Sequence, residues 1–263
     1  MLDEKVQQKK VISWRMGRLV WGTATKMAND AQNSKLDPIR CRDDNPSEKV
    51  QGPERGAVKA KGYLYPSEFL MLMECAKVPL HWRRRTALAI YLGVRTAELD
   101  ALEWSAFDLT HGIVSIYQAM DRSKKGRTKS TKGKRARRFK LDENLIPLLT
   151  AMFSESGGKG RLFPQLNNTG NAKRFRTFLK RAGVDRAELH CGAKDPNRKQ
   201  ITWHDLRATS GTWMAVRGDE PLKIMQRLGH ADFATTMIYV REAEQLIGSG
   251  FGEPFPPLPS ALF

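Results

Sequence analysis

Residues 203–239 open on Trp203-His204-Asp205-Leu206-Arg207-Ala208-Thr209, pass through Leu228-Gly229-His230 and close on Thr235-Thr236-Met237-Ile238-Tyr239. The apolar spacing here predicts three helices, over 204–216, 221–228 and 232–243. Gly229 ends the second, since glycine enters the left-handed cap without steric cost, and leaves His230 at its exposed terminus. Asp232 opens the third as a cap. His204 and Arg207 are three apart and share a helix face, and Tyr239 follows His230 by nine residues. Each feature alone has an ordinary explanation. A His three before an Arg is usually a surface pair, a His after a helix-ending Gly complements the helix dipole, and a lone Tyr in an amphipathic helix is core. Their ordered combination is what points to chemistry.

Outward from this stretch the pattern stays mostly helical. Ser67 is expected to cap a helix carrying Phe69, Leu70, Leu72 and Met73. Pro79 separates it from a helix over 82–92 that stops at Gly93, and Thr96 is expected to cap a further helix running to Glu103. Gly112-Ile113-Val114-Ser115-Ile116-Tyr117 reads as a short β-branched strand, and Arg137-Arg138-Phe139-Lys140-Leu141 as its return. From Arg122 to Lys140 there are eleven Lys and Arg in nineteen residues and no acid, with Gly126 and Gly133 allowing a bend. Such a run is either a solvated loop or a polyanion-binding hairpin. Residues 173–181 alternate basic side chains with Phe175, Phe178 and Leu179, an amphipathic helix with a basic face. The expected fold class is α+β, mostly helical, with a small antiparallel sheet carrying a basic β-hairpin.

The whole chain is consistent with this. Its 263 residues hold 45 Lys and Arg against 28 Asp and Glu, a formal charge of +17, which at this size points first to nucleic acid. With 40% apolar residues it can build a core. No stretch approaches the ~20 apolar residues of a membrane span, and Met1-Leu2-Asp3-Glu4-Lys5 lacks the apolar core of a signal peptide. Cys41, Cys75 and Cys191 are widely spaced and odd in number, which disfavours both a disulfide scaffold and a zinc ribbon.

Residues 1–62 differ from the rest. Val11, Ile12, Trp14, Met16, Leu19, Val20 and Trp21 predict a helix over 11–27, followed by a polar, Asp/Asn/Pro/Gly-rich stretch. At the other end residues 248–263 contain four prolines, with Phe251, Phe255, Leu258, Leu262 and Phe263 lacking amphipathic periodicity. That segment is expected either to fray or to dock on a neighbouring copy. Three parts are thus expected: 1–62, 63–247 and 248–263.

Taken together, the chain resembles the tyrosine recombinase (phage integrase) family over about 63–246. The family's catalytic set is an Arg in an early turn, a Lys in a β-hairpin, His-x-x-Arg, Leu-Gly-His and a Tyr nine residues on. Here Arg95 stands in Gly93-Val94-Arg95-Thr96-Ala97-Glu98-Leu99, and His204, Arg207, His230 and Tyr239 fill the remaining places. The spacing of 23 from Arg207 to His230 is also similar. The family's Lys stands eight before a Pro-Leu pair whose place is taken here by Lys140-Leu141, which selects Lys132, with Lys129 as runner-up. Lys140 in place of Pro and Ala97 in place of the usual Gly are departures. Glu98 matches an acidic position that orients the arginine, or is an ordinary acid at a helix N-terminus.

The resemblance implies a site-specific recombinase or integrase of a mobile genetic element, bacterial or phage-encoded and acting in the cytoplasm at the nucleoid. It would cut and rejoin strands through a 3′-phosphotyrosyl link on Tyr239, with no metal, ATP or other cofactor. The implied partners are double-stranded DNA, three further copies in a homotetramer on synapsed sites, and an accessory directionality factor. DNA backbone contacts are expected from Lys124, Lys125, Arg127, Lys129, Lys134, Arg135, Lys173 and Arg174. Residues 1–62 correspond to a partial core-binding domain, one helix and a linker. That keeps two alternatives open: a truncated or regulatory DNA-binding relative without efficient recombination, and strand relaxation of the type IB topoisomerase kind.

Overall fold

The structure, a computed structural model, describes residues 14–54, 62–121, 123–124, 126–130, 136–166, 169–192, 195 and 198–263. The chain divides into two compact units, residues 1–58 and 59–263.

In the first unit α1 (Trp14–Asn33) has no buried residue. The loop behind it folds back: Trp14 donates its indole N–H to the Pro53 carbonyl at 3.0 Å, and the Trp21 indole covers Gly52, where a Cβ would meet Nε1 at 2.6 Å. Helix and loop therefore half-bury both tryptophans between them, while Met16, Leu19, Val20 and Met27 stay exposed.

The second unit is built around two helices buried on nearly every face. These are α3 (Leu80–Leu92) and α7 (Asp205–Arg217). Around them lie α2 (Pro66–Glu74), α4 (Thr96–Asp100), α5 (Ile146–Ser156), α6 (Asn171–Arg181), α8 (Pro221–Leu228) and α9 (Phe233–Leu246). Trp213 of α7 sits at the centre, edge-on to Phe69 and Phe255 at 5.4 and 5.3 Å, its indole N–H donated to the Leu64 carbonyl. Three expected helix boundaries are corrected. Pro66 takes the first helical position of α2, where a missing N–H costs nothing, and Glu68 accepts from the Tyr65 amide at 2.9 Å, so the cap is Tyr65 and not Ser67. Similarly, α4 ends at Asp100 rather than Glu103, and its N-cap is Arg95 rather than Thr96.

The sheet is small and antiparallel. β1 (Phe107–Asp108), β2 (Ile113–Ile116) and β5 (Arg137–Lys140) lie in the order β1-β2-β5, with Val114 opposite Phe139. The strands read at 112–117 and 137–141 do pair. Between them the basic run makes a second ribbon, β3 (Gln118–Met120) against β4 (Thr128–Ser130). Its turn is organised by Asp121, which accepts from the Ser123 amide and hydroxyl and from Lys129 Nζ.

The tail does not fray in this fold. Phe251, Phe255, Leu258 and Leu262 are buried in the tail's own unit. Phe251 packs on Tyr63 and Tyr65, and Phe255 packs between Tyr91 and Trp213. Prolines deprive the segment of helical hydrogen bonds, so side chains of the body take up its carbonyls instead. Asn144 donates to Phe255, Tyr91 to Pro256, Arg83 to Ala261 and Arg84 to Leu262. Among the described residues no helix is long and apolar enough to cross a membrane.

Candidate active site

Three chain turns and one strand are brought together by their arginines. The first follows α3: Gly93, at φ +61°, ends the helix, and Arg95 then caps α4. Glu98, one turn into α4 and 2% exposed, reaches back to that cap. Its carboxylate accepts from the Arg95 amide at 2.7 Å and from Arg95 Nη1 at 2.8 Å. Arg95 Nη2 donates to the Gly229 carbonyl at 3.1 Å, joining this turn to the end of α8.

The second turn is the start of α7. Asp205, buried, accepts from both the amide and the hydroxyl of Thr202 at 2.7 Å, which fixes residues 202–205 as the helix opening. His204 lies on that opening turn, exposed. One turn on, Arg207 is 4% exposed. It donates Nη1 to the Gly93 carbonyl at 2.7 Å and Nη2 to the Leu228 carbonyl, and among the described residues it forms no ion pair. Burial, followed by repulsion from Arg95, lowers its guanidinium to about 9. It remains charged at neutral pH, in a place where an anion would relieve it.

The third turn is Gly229, at φ +63°, which delivers a half-buried His230 rather than an exposed one. His230 Nδ1 is 2.9 Å from the Thr236 hydroxyl, and its ring stacks on Tyr239 at 5.9 Å between centroids, 27° between planes. Asp232 caps α9 by accepting from the Ala234 amide. Tyr239 lies with its ring on the backbone of Gly211 in α7, where a Cβ would come within 2.8 Å of the ring. Burial raises the Tyr239 hydroxyl above its ordinary value, Arg207 pulls it down, and Asp205 pushes it up.

The fourth element is β5, and here the structure adds a residue absent from the sequence expectations. Arg137 donates both terminal nitrogens to Glu98, at 3.1 and 2.6 Å. Two guanidiniums on one carboxylate hold Glu98 at about 2, outweighing the burial that would raise it. The signal existed in the alternation of the strand: Arg137 and Phe139 are its inward positions, Arg138 and Lys140 its exposed ones. An arginine on an inward face demands a buried acceptor. The arginine turn, β5 and the end of α8 border a cleft of about 1020 Å³ whose walls include Arg95, Arg137, Gly229 and His230, while Glu98, His204, Arg207 and Tyr239 lie outside its lining.

The expected lysines are distributed differently. Lys132, Lys125, Lys134 and Arg135 lie outside the described residues. Lys124 and Arg127 are exposed in the β3–β4 turn. Lys129 is exposed on β4 and paired with Asp121 at 3.2 Å. Lys173 and Arg174 are exposed on the first turn of α6, Arg174 lying over the Trp82 ring at 5.5 Å.

The pattern of the phage integrase family matches residues 63–245. Among curated proteins, a tyrosine recombinase of Thermosipho africanus is 24% identical over 77% of this chain and 64% of its own length. Tyrosine recombinase XerC of Xanthomonas campestris is 24% identical over 61% of this chain and 45% of its own length. The chain thus spans less than two thirds of the length of these relatives. Among solved structures, the Tn1549 transposon integrase in complex with transposon right-end DNA superposes with a TM-score of 0.61 at 16% identity, covering 86% of this chain and 84% of that one. The XerA recombinase superposes at 0.52 and 21%, covering 91% and 84%. A lambda integrase dimer bound to a COC′ core site gives 0.57 and 16%, covering 86% and 59%. The helical unit with its small antiparallel sheet therefore has the tyrosine recombinase catalytic fold, and the chain belongs to the phage integrase family.

Proposed function

We propose that this chain is a site-specific DNA recombinase or integrase that cuts and rejoins strands through Tyr239, with residues 63–247 as its catalytic domain. The observation that carries the reading is Arg207. It is a buried guanidinium among carbonyls, repelled by Arg95 and beside a tyrosine, and a phosphodiester is an anion that would satisfy it.

Arg95 and Arg207 would grip the non-bridging oxygens of the scissile phosphate, with Glu98 holding Arg95 in place. The Tyr239 oxygen attacks phosphorus, the bond to the 5′ oxygen breaks, and a 3′-phosphotyrosyl link forms. A tyrosine hydroxyl titrates near 10 and is raised further here, so its proton needs an acceptor, a role assigned to His204 or His230. Lys132 would protonate the departing 5′ oxygen. Because the link keeps the bond energy, a new 5′ hydroxyl can reverse the step with no metal, ATP or other cofactor supplied. Lys124, Lys125, Arg127, Lys129, Lys134, Arg135, Lys173 and Arg174 would track the DNA backbone. Residues 1–62 would act as a partial core-binding segment and linker. The assembly would be a homotetramer on synapsed sites, steered by an accessory factor, in the cytoplasm at the nucleoid.

The test is a nicked, labelled suicide duplex pool, drawn from the flanks of the gene and incubated with protein and EDTA. An SDS-resistant protein–DNA adduct that disappears in Tyr239→Phe is the expected result. An adduct that persists in the mutant overturns the nucleophile assignment. Tight, salt-sensitive binding without any adduct overturns the catalytic reading in favour of a DNA-binding role.

A further inference from the structure

Arg137 joins two of the turns that build the site to the strand. It lies on β5, immediately beyond the basic loop. Its side chain is 10% exposed and spans to α4, where its two terminal nitrogens take one oxygen each of Glu98. It also lies against Gly229. A Cβ there would stand 3.3 Å from Arg137 Nη1 and 3.4 Å from Cδ, so the glycine of Leu-Gly-His leaves room for this side chain as well as turning the helix. Arg137 Nε is buried and, among the described residues, has no hydrogen-bond partner. Burying such a donor without a partner is unfavourable, so an apolar side chain would tether the strand at lower cost.

The geometry explains what that cost secures. Glu98 has two oxygens and four donors on them: the Arg95 amide, Arg95 Nη1, and Arg137 Nη1 and Nη2. With Arg137 in place, Glu98 can give Arg95 only one side-chain hydrogen bond, to Nη1, and Arg95 Nη2 turns to the Gly229 carbonyl. Without Arg137, the freed carboxylate can take Arg95 in the bidentate fork that Arg and carboxylate prefer, turning it from the cleft. Glu98 and Asp205 are the acids around the cluster, against Arg95, Arg137 and Arg207, so the site stays cationic with the pair formed.

We propose that Arg137 is a positioning residue of this site: by occupying both oxygens of Glu98 from β5, it keeps Arg95 turned toward the scissile phosphate. This rests on the transesterification reading above. It also couples β5 to the arginine turn.

The experiment compares Arg137→Gln, Arg137→Lys, Glu98→Gln and the double variant Arg137→Gln/Glu98→Gln. Adduct formation is measured at saturating protein and 20 °C, with DNA affinity and thermal midpoint alongside. Misplacing a phosphate-gripping group by about 1 Å costs on the order of 100-fold in rate. Arg137→Gln is therefore expected to slow adduct formation about 100-fold while DNA affinity changes less than about threefold. Arg137→Lys keeps the charge but cannot bridge two oxygens, and should stay at least about tenfold slow. The double variant should be no slower than Arg137→Gln alone, because both changes act through one carboxylate. A folded Arg137→Gln at the wild-type rate, full rescue by Lys, or additive losses in the double variant would each overturn the proposal. If Arg137→Gln fails to fold, Arg137→Lys and Glu98→Gln carry the same comparison.

Side-chain 15N–1H spectra of arginine-labelled protein read the clamp without DNA. The Arg95 Nε resonance, assigned from Arg95→Lys, should move in Arg137→Gln, and an unchanged resonance refutes the clamp. A wild type that forms no adduct but shows this movement would sink the transesterification reading and leave the clamp standing.

Discussion

Phe255 offers a test of the tail in which the sign of a small difference matters as much as a large loss. Its ring is 3% exposed, lies between Tyr91 and Trp213 at 5.4 and 5.3 Å, and carries the Arg217 guanidinium over its face at 4.6 Å. Its backbone is left-handed at φ +54°, unlike every other non-glycine among the described residues. Removing a buried Phe ring to Ala typically costs about 3–5 kcal/mol. The second unit spans residues 59–263, and at that size each kcal/mol moves the thermal midpoint by about 2–4 °C. Phe255→Ala should therefore lower it by about 6–20 °C.

Phe255→Gly removes the same ring but also the Cβ, and a Cβ at left-handed φ costs roughly 1–2 kcal/mol. Glycine's extra freedom in the unfolded chain returns about 0.5–1 of that. Phe255→Gly should therefore be more stable than Phe255→Ala by about 0.5–1 kcal/mol, the reverse of the order at an ordinary position. Urea unfolding followed by tryptophan fluorescence suits the purpose, since Trp213 touches the ring. A Phe255→Ala loss under about 1 kcal/mol would refute the buried tail. A clear advantage of Ala over Gly would refute the left-handed backbone at 255.

Three further outcomes follow from the site. The Glu98 carboxyl is held at about 2 against an ordinary 4.5, worth about 3 kcal/mol. A depressed acid stabilises above its unfolded value, so the stability gap between wild type and Glu98→Gln should be full at pH 7 and shrink as pH falls from about 4.5 toward 2; denaturant melts showing the same gap at pH 7 and pH 3 would contradict it. Gly211→Ala should slow adduct formation at least about tenfold by pushing the Tyr239 ring aside, with a normal circular dichroism spectrum; wild-type rates would mean the ring does not rest on Gly211. Lys132→Ala should be rescued by a substrate with a bridging 5′ sulfur, a leaving group that needs no proton, and Lys129→Ala should need no rescue because Lys129 is engaged by Asp121; the opposite pattern would exchange the two lysines.

How much of this could be read from residues depended on range. The helices of the last third were legible because Gly229, Asp232 and the apolar spacing act locally, and α8 and α9 begin and end within a few residues of the expected positions. The pairing of β2 with β5 was legible from two β-rich runs of opposite ends of one basic stretch. What escaped was decided by distant partners. Ser67 is a good cap by composition, but Glu68 and Pro66 shift the helix start by cooperating with each other. Arg137 looked like one more cation in a basic run, since its significance lies in a carboxylate 39 positions away. The tail lacks periodicity because its hydrogen bonds go to side chains of α3 and Asn144, more than 100 residues upstream, and no local pattern encodes such partners.

The same docking of the tail fixes an order of assembly. Leu262 and Arg84 are 178 positions apart, and Pro256 and Tyr91 are 165 apart. During synthesis α3, one of the two central helices, must wait for nearly the whole of the unit to be made before its arginines and tyrosine find their acceptors. Contacts of such separation slow folding, and the intermediate exposes apolar surface in the meantime. Phe251 then closes on Tyr63 and Tyr65, where the unit begins. A nascent chain halted before residue 251 would thus hold Arg95, Arg207 and Tyr239 on a body whose central helices are still uncovered, and their cluster would become rigid only once residues 251–262 are laid down.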